Sequence, residues 1–356
     1  MYEEYLYIIF DKMIFTYPLL FVDNYNFSKH PIRIIHLHLY HILQTENMEK
    51  KILRGHIAII TANIIFGLNT PISKNVLQEY LSPYSLTFFR MAGACLIFWI
   101  LSFFVKREKV KAKDLFFIFL ASMFGIFINQ FSFIQGLSVT SPVNAALIVT
   151  ATPILTMIVS FIFLKEPITG KKAGGVLMGA TGAILLVMTS HSLSNSASGN
   201  IWGDVFCFTS CFSYAIYLTA FRWLIDRYHP VTLMKWMFLF ATIVCLPFSY
   251  ENIIQINYSQ LPVIGYLEIA YIVVGATFIT YLLIPIGQKV LRPTVLVMYN
   301  YLQPIITTCI AITFGLDTFG YVKAISGVLI FSGVYLTIKS KSRAQLEAEK
   351  KRLDDD

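Results

Sequence analysis

The segment from Ala151 to Pro167, ATPILTMIVSFIFLKEP, is apolar on every side of the helix that it would form. A helix at the surface of a soluble protein has an apolar stripe and a polar face, so a helix without a polar face must be surrounded by protein or by lipid. The segment also carries a proline near its start and stops abruptly at Lys165-Glu166. The chain is thereby restricted to folds in which such helices are covered on all sides.

Composition decides between protein and lipid as the surroundings. Hydrophobic residues make up 56% of the 356 residues and charged residues only 13%, which is about half of the share in soluble proteins. So little charge cannot cover a soluble surface. A membrane-spanning helix needs about 20 mainly apolar residues, because the hydrocarbon core is about 30 Å thick. Several runs reach this length, so we predict an integral membrane protein embedded in a lipid bilayer.

The apolar runs predict ten transmembrane helices, and the positive charges predict their orientation. Lys and Arg cluster before the first span, in every second connection and after the tenth span, with Lys323 as the exception. Cytoplasmic loops carry the positive excess, so both termini are predicted to be cytoplasmic, in a multi-pass protein of the cell (inner) membrane. The same distribution accounts for the net charge of +8, and no nucleic-acid partner is predicted. The predicted spans are 56–78, 85–105, 114–136, 141–164, 173–190, 201–225, 232–250, 263–287, 293–315 and 321–339.

The two halves of the chain are copies of one five-span unit. A shift of 151 residues lays Pro142 on Pro293 and Pro153 on Pro304. It also aligns Thr156 with Thr307, Glu166 with Asp317 and Gly182 with Gly333. Because five is odd, the second copy enters the membrane from the opposite side. Inverted repeats of this kind are typical of secondary transporters; a duplicated scaffold without transport is the alternative.

The repeat predicts how the chain is organised. The first repeat covers residues 48–190 and the second 201–340, joined by a serine-rich external linker at 191–200 and followed by a charged cytoplasmic tail at 341–356. Residues 1–47 differ in composition from the rest, and a basic stretch leading into an apolar helix begins at Met48. We therefore expect Met48 to be the natural start, which mass analysis of the native protein would test.

One pattern occurs in both halves: a proline-containing helix that ends at an acidic residue, followed by a glycine-rich helix. It reads SPVNAALIVTATPILTMIVSFIFLKEPITGKKAGGVLMGATGAILL in the first half and LRPTVLVMYNYLQPIITTCIAITFGLDTFGYVKAISGVLIFSGVYL in the second. With GLNTPISKNVLQEYLSPYSLTFFR in the first half, this pattern resembles the EamA type of the drug/metabolite transporter superfamily, from about Gly55 to Lys341. Asp317 departs from it, since the family more often has a glutamate there.

The resemblance implies ten helices, no nucleotide site and secondary transport, often efflux of amino acids or other metabolites. The protein is not predicted to be an enzyme. One alternative is a proton-coupled drug exporter, although neither the first span nor its copy has an acid in mid-membrane. Another is a lipid-handling scaffold or membrane-embedded enzyme, for which no converging catalytic groups are evident. No Walker-type phosphate loop is present, and the substrate and the oligomeric state are left open.

Polar side chains inside the spans predict where the substrate passes, because lipid disfavours them unless they face a cavity or a partner. Lys74 and Arg90 lie inside the outer ends of their helices, and they either reach the interface or form a positive vestibule for anionic groups. Glu268 either carries a coupling proton or lies at the outer interface. The predicted substrate path comprises Asn69, Lys74, Arg90, Asn144, Tyr214, Glu268, Tyr299 and Gln303.

Prolines, glycines and cysteines complete the sequence predictions. Pro153 and Pro304 each remove a backbone hydrogen bond within a span, so each is a hinge or a static kink. Gly175, Gly179 and Gly182 predict close helix packing, within the chain rather than between copies, and Gly327 and Gly333 repeat the pattern. Cys207 and Cys211 stand one helical turn apart without further ligands nearby, so no metal is predicted. No cofactor is expected, although transport is expected to be coupled to a proton or other ion gradient.

Overall fold

The computed structural model describes residues 31–140, 142–189, 200–313 and 320–355, and the regular structure in these ranges is helical throughout. Contacts divide the chain into two compact units. One is Arg54–Ser340, which contains nearly all of the membrane-spanning residues. The other comprises residues up to Leu53 and from Lys341 onward. In its described part, the helix Arg343–Asp355 carries an exposed pair between Arg343 and Glu347.

The prediction of ten transmembrane helices is confirmed. In the described ranges, nine helices are long and apolar enough to cross a membrane. They are Glu49–Glu79, Pro83–Ser102, Ala112–Val139, Ala145–Leu164, Gly170–Thr189, Ile201–Ala220, Pro230–Ile254, Val263–Val290 and Tyr321–Ile338. Counted in chain order, these are spans 1 to 8 and span 10. Span 9 consists of the shorter helices Pro293–Met298, Tyr299–Tyr301 and Leu302–Thr313.

Local sequence signals set where the spans begin. Span 2 starts at Pro83 after Ser82, whose hydroxyl accepts a hydrogen bond from the backbone N–H of Ser85 at 3.2 Å. Span 6 starts after Asn200, whose side chain accepts from the N–H of Trp202 at 2.9 Å. Both residues satisfy a backbone donor that the first turn of a helix leaves without a partner. These two starts therefore follow the capping chemistry and lie within two residues of the predicted ones at 85 and 201.

The end of span 4 explains the abrupt stop at Lys165-Glu166. Lys165 adopts the left-handed conformation with φ of 52°, and the N–H of Glu166 donates back to the carbonyl of Ser160 at 3.2 Å. The carboxylate of Glu166 then pairs with Lys172 at 2.7 Å, whose side chain is only 1% exposed. The two residues therefore close the helix and fasten the start of span 5.

Corresponding spans of the two repeats pack against each other. Span 5 packs on span 10, where a Cβ at Gly175 would lie 2.7 Å from the carbonyl oxygen of Gly333 and a Cβ at Gly333 would lie 2.6 Å from that of Gly175. Span 2 packs on span 7 through the stacked rings of Phe98 and Phe238, 5.5 Å apart. The predicted glycine packing within the chain is thus confirmed, except at Gly327, which has no atom within 4 Å of an added Cβ.

The third span of each repeat contains a π-helical segment. In span 3 it covers Met123–Phe127, between the helices Ala112–Ser122 and Ile128–Val139. In span 8 it covers Tyr271–Ile279, between Val263–Ala270 and Thr280–Val290. Such segments are rare and occur frequently at functional sites. Two side chains from other spans donate to carbonyls of the first segment: Ser213 to Phe124 at 2.6 Å and Tyr281 to Gly125 at 3.2 Å.

Candidate functional site

A cavity of about 450 Å³ lies between the two repeats, within the range of small-molecule sites. Its lining comes from spans 1 to 6 and from spans 8 and 9. Polar side chains such as Asn69, Asn129, Ser210 and Gln303 share it with apolar ones such as Phe66. Its described lining contains no aspartate or glutamate. The cavity is suited to a small solute with both polar and apolar parts.

The cavity extends toward one side of the membrane. Asn69 and Gln78 come from the second half of span 1, Ala146 from the start of span 4 and Thr307 from the second half of span 9. Consecutive spans cross in opposite directions, so these residues lie in the same half of the membrane. Gln78 is exposed at the end of span 1. We call this the Gln78 side, and the opposite one, where span 1 begins, the Arg54 side.

The Arg54 side is closed by contacts between distant parts of the chain. His56 Nδ1 lies 2.7 Å from the hydroxyl of Tyr299, in the interruption of span 9. At the start of span 3, the buried Asp114 pairs with Arg227 at 2.8 Å and accepts from the Tyr228 hydroxyl at 2.5 Å. Burial, and then the hydrogen bond to Asp114, raise the pKa of Tyr228, so the hydroxyl stays protonated and continues to donate.

Arg90 places a buried positive charge at the cavity. It is 4% exposed, lines the cavity from span 2 and donates from Nε to the hydroxyl of Thr277 at 3.0 Å. Thr277 belongs to the π-helical segment of span 8 and itself donates to the carbonyl of Ile272 at 2.8 Å. Among the residues described, no carboxylate pairs with Arg90. The guanidinium is therefore oriented by a neutral partner.

Neutral polar groups line the same part of the cavity as Arg90. Gln130 is 3% exposed, and neither its amide nitrogen nor its amide oxygen has a hydrogen-bond partner of good geometry. Tyr281 interacts electrostatically with Arg90 and donates to Asn129 Oδ1 at 3.4 Å. Asn129 donates to the Ser210 hydroxyl at 3.0 Å. These groups supply donors and acceptors without any countercharge.

Lys74 also lines the cavity, but its ammonium group is already bonded. Nζ donates to the backbone carbonyls of Leu137 at 2.7 Å, Thr140 at 3.3 Å and Ser138 at 3.4 Å. These carbonyls end the last helix of span 3, where the helix leaves acceptors without partners and its dipole is negative. Lys74 therefore stabilises a helix end. Both side chains line the cavity, and the choice between an interfacial role and a positive vestibule stays a prediction.

The structure brings most of the predicted path residues to one cavity. Asn69, Lys74, Arg90, Tyr214, Gln303 and Pro304 line it. Tyr299, Glu268 and Pro153 are absent from the lining, and the side chain of Asn144 lies outside the described residues. Contact between any of them and a substrate stays a prediction. The three absent residues each have another place in the structure.

Glu268 does not line the cavity but contacts a residue that does. Its two carboxylate oxygens accept from the side-chain amide of Asn75 at 3.0 and 2.9 Å, and Asn75 lines the cavity. Tyr299 instead contacts His56, as described above. Pro153 follows a break at Thr150-Ala151 between the helices Pro142–Val149 and Thr152–Leu164.

The interruptions of spans 4 and 9 meet at the centre of the protein. The Tyr301 hydroxyl donates to the carbonyl of Thr150 at 3.1 Å, and these two residues occupy equivalent positions in the repeats. A Cβ at Gly179 would lie 2.6 Å from the Tyr301 ring, so only glycine leaves room for that ring. The two broken helices therefore contact each other beside the cavity.

Sequence reasoning missed several lining residues. Gln130 follows Asn129, and two adjacent amide side chains in an apolar span are the sequence signal that could have indicated a polar cavity. Tyr281 and Asn75 carry no such signal, because single tyrosines and asparagines in spans also bond to neighbouring helices. Within the described residues, no group of three or more His, Cys, Asp or Glu side chains is arranged to hold a metal ion.

Comparison with known proteins gives consistent relatives. The model of the EamA-like transporter family matches residues 53–188 and 201–339. The uncharacterized transporter YyaM of Bacillus subtilis (strain 168) is 27% identical over 83% of this chain and 99% of its own length. A WAT1-related protein of Arabidopsis thaliana is 24% identical over 80% of this chain and 85% of its own. A crystal structure at 19% identity superposes with a TM-score of 0.63 over 85% of this chain and 98% of its own, showing the shared fold.

Proposed function

The chain belongs to the EamA-like transporter family and is a multi-pass membrane transporter of small solutes, and we propose that it exports amino acids or related metabolites by alternating access. The observation that carries this proposal is the cavity between two inverted repeats. Such repeats adopt related conformations that open a central site to opposite sides in turn.

The chemistry of the lining supports a metabolite rather than a cationic drug. Arg90 and Lys74 are its charged residues, and no acidic side chain lies among the lining residues described. An organic cation would meet positive charge without a countercharge, which is unfavourable in a buried site. The amides and hydroxyls instead match small metabolites with several polar groups. A proton-coupled drug exporter therefore fits this cavity less well.

The proposal includes an orientation and a conformational state. With both termini in the cytoplasm and the protein in the cell membrane, as the positive charges predict, the Gln78 side faces outward. The cavity then opens outward, and the contacts at His56, Tyr299 and Asp114 close the cytoplasmic side. An exporter must break these contacts to load its substrate. We propose Glu268 as the proton carrier, because its carboxylate is bonded to the neutral Asn75 and not to a cation in the part of the chain that the structure describes.

Counterflow in liposomes tests the transport proposal. Purified full-length protein is reconstituted, loaded with a mixture of unlabelled amino acids and assayed for uptake of the labelled ones. Ala146 lines the cavity, so Ala146→Trp should fill it and reduce counterflow to background.

The matched control is Ala270→Trp, because Ala270 is exposed in span 8 and is not a lining residue. It should transport at the wild-type rate. Counterflow that is equal in both variants would show that solutes do not cross through this cavity.

A further inference from the structure

We propose that the transported solute carries a carboxylate and that Arg90, rather than Lys74, binds it. This inference rests on the proposed function, because it names the substrate class of the same cavity. It goes beyond the predicted positive vestibule by assigning different roles to two cations that look equivalent in the sequence.

The first argument is the missing countercharge. A guanidinium carries five N–H donors and cannot lose its proton in a protein. Arg90 is 4% exposed, yet its one hydrogen bond in the described structure goes to the neutral hydroxyl of Thr277. An unpaired buried charge is costly, and an anion in the cavity would remove that cost. The buried charge of Arg90 and its neutral partner thus favour an anionic ligand.

The second argument is the polar group beside it. Gln130 is 3% exposed and lines the same cavity, and its amide makes no hydrogen bond of good geometry, although it interacts with the Tyr281 hydroxyl. Buried amides are normally well bonded, so a ligand that offers better geometry than Tyr281 would gain a hydrogen bond from this one. Its NH₂ group can donate to a carboxylate oxygen while its carbonyl accepts from an ammonium or hydroxyl group. Tyr281 adds a neutral hydroxyl near the guanidinium.

The third argument separates Arg90 from Lys74. Lys74 already has three carbonyl acceptors at the end of span 3, so binding a ligand anion would mean giving some of them up. Arg90 donates from Nε alone, which leaves both terminal nitrogens of the fork. Two parallel N–H groups match the two oxygens of a carboxylate. The geometry therefore favours Arg90 as the receptor.

The test compares carboxylic acids with the corresponding amides, in which an uncharged carboxamide replaces the carboxylate. Probes are phenylacetate and phenylacetamide, L-phenylalanine and L-phenylalaninamide, and L-leucine and L-leucinamide. Affinities are measured from the ligand-dependent melting temperature of the purified full-length protein. We expect at least one acid to bind wild type about 10- to 150-fold more tightly than its amide, as for a desolvated charge-assisted hydrogen bond.

Variants of Arg90 test whether this residue binds the carboxylate. Arg90→Gln should bring the acid-to-amide ratio close to one, and Arg90→Lys should retain part of it, because an ammonium keeps the charge without the fork. Thr277→Val is the matched control: it removes the hydrogen bond to Arg90 but keeps the charge, so the preference for acids should persist. The acid-to-amide ratio compares two ligands of the same variant, so a general loss of stability does not change it. If Arg90→Gln does not fold, Arg90→Lys provides the test.

Three results would overturn the proposal: no acid of the panel binds, wild type binds acids and amides equally, or Arg90→Gln keeps the preference. The outcome is distinguishable from failure of the proposed function. If labelled neutral solutes show counterflow that Ala146→Trp blocks, the protein is a transporter through this cavity but not one that selects carboxylates. If no solute shows counterflow, the transport proposal itself fails.

Discussion

Positively charged residues have different structural roles in this protein. Lys74 binds helix-terminal carbonyls, whereas Arg90 lies against neutral groups beside the cavity. Lys165 has yet another role, because its left-handed backbone ends span 4. That conformation costs a residue with a Cβ about 1–2 kcal/mol relative to the usual helical region. The surrounding contacts, above all the buried pair between Glu166 and Lys172, hold it in place.

Glu268 is the residue at which ion coupling is tested. If it carries the coupling proton, Glu268→Gln keeps a similar shape but cannot gain or lose charge. Accumulation of labelled solute driven by a pH gradient should fall at least roughly tenfold, while counterflow at equal pH should continue, because exchange requires no net proton movement. Both rates are measured in the same liposomes with a solute found in the counterflow assay.

Glu251→Gln is the control for this experiment, since Glu251 is exposed near the end of span 7. It should leave both rates unchanged. If Glu268→Gln retains gradient-driven accumulation, Glu268 is an interfacial carboxylate bonded to Asn75 and the proton moves elsewhere.

At the scale of elements, the interrupted helices surround the cavity. Proline has no backbone N–H to donate to the carbonyl four residues earlier. Pro153 therefore leaves the Val149 carbonyl without its helical donor, and Pro304 does the same to the Asn300 carbonyl. Val149 and Asn300 are equivalent in the repeats, and both line the cavity. The π-helical segments of spans 3 and 8 likewise offer carbonyls to Tyr281 and Thr277. Irregular backbone in a membrane protein is tolerated where it is buried or faces such a cavity.

The prolines are predicted to be hinges. Alanine at Pro153 or Pro304 restores a backbone donor and favours a continuous helix by up to about 3 kcal/mol. If bending of these helices accompanies the change of access, either substitution should lower the transport rate more than the amount of folded protein. Initial counterflow rates and the yield of monodisperse protein give the two quantities.

Pro247→Ala provides the comparison, because Pro247 lies inside the helix Pro230–Ile254, is exposed and does not line the cavity. It should leave the rate per folded molecule unchanged. Equal losses of rate and yield at Pro153 and Pro304 would mean that these prolines serve folding only.

At the scale of the whole molecule, two repeats of opposite orientation form one transport unit. Spans 2 and 7 pack on each other, as do spans 5 and 10, and the equivalent interruptions meet where Tyr301 donates to Thr150. A site shared in this way is affected by movement of either repeat, which is the physical requirement for alternating access.

The orientation of this unit is predicted from its charges. Reporter fusions at Lys109 and at the C-terminus should give a cytoplasmic signal, and fusions at Asn200 and Ser259 an external one, because the basic connections stay on the cytoplasmic side. Protease accessibility of the same sites in spheroplasts provides an independent measurement. A cytoplasmic signal from Asn200 would contradict an odd number of spans in the first repeat, and with it the inverted arrangement.

The sequence by itself determined the spans and the repeat. Hydropathy and capping residues act over a few neighbouring positions, so ten spans and most of their bounds follow from local pattern. The alignment of Pro153 with Pro304 is likewise visible in the chain. Both features are local or periodic, and neither requires knowledge of which helices touch.

Only the tertiary structure decided what the polar residues do. The contact of Arg90 with Thr277 joins positions 187 residues apart, and that of Asn75 with Glu268 joins positions 193 apart. No local pattern encodes such a pairing, so Arg90 and Lys74 were indistinguishable before their partners were known. The place of Gln130 in the cavity could not be predicted for the same reason. The partners of a side chain in a span depend on the helices packed around it, and hydropathy does not encode them.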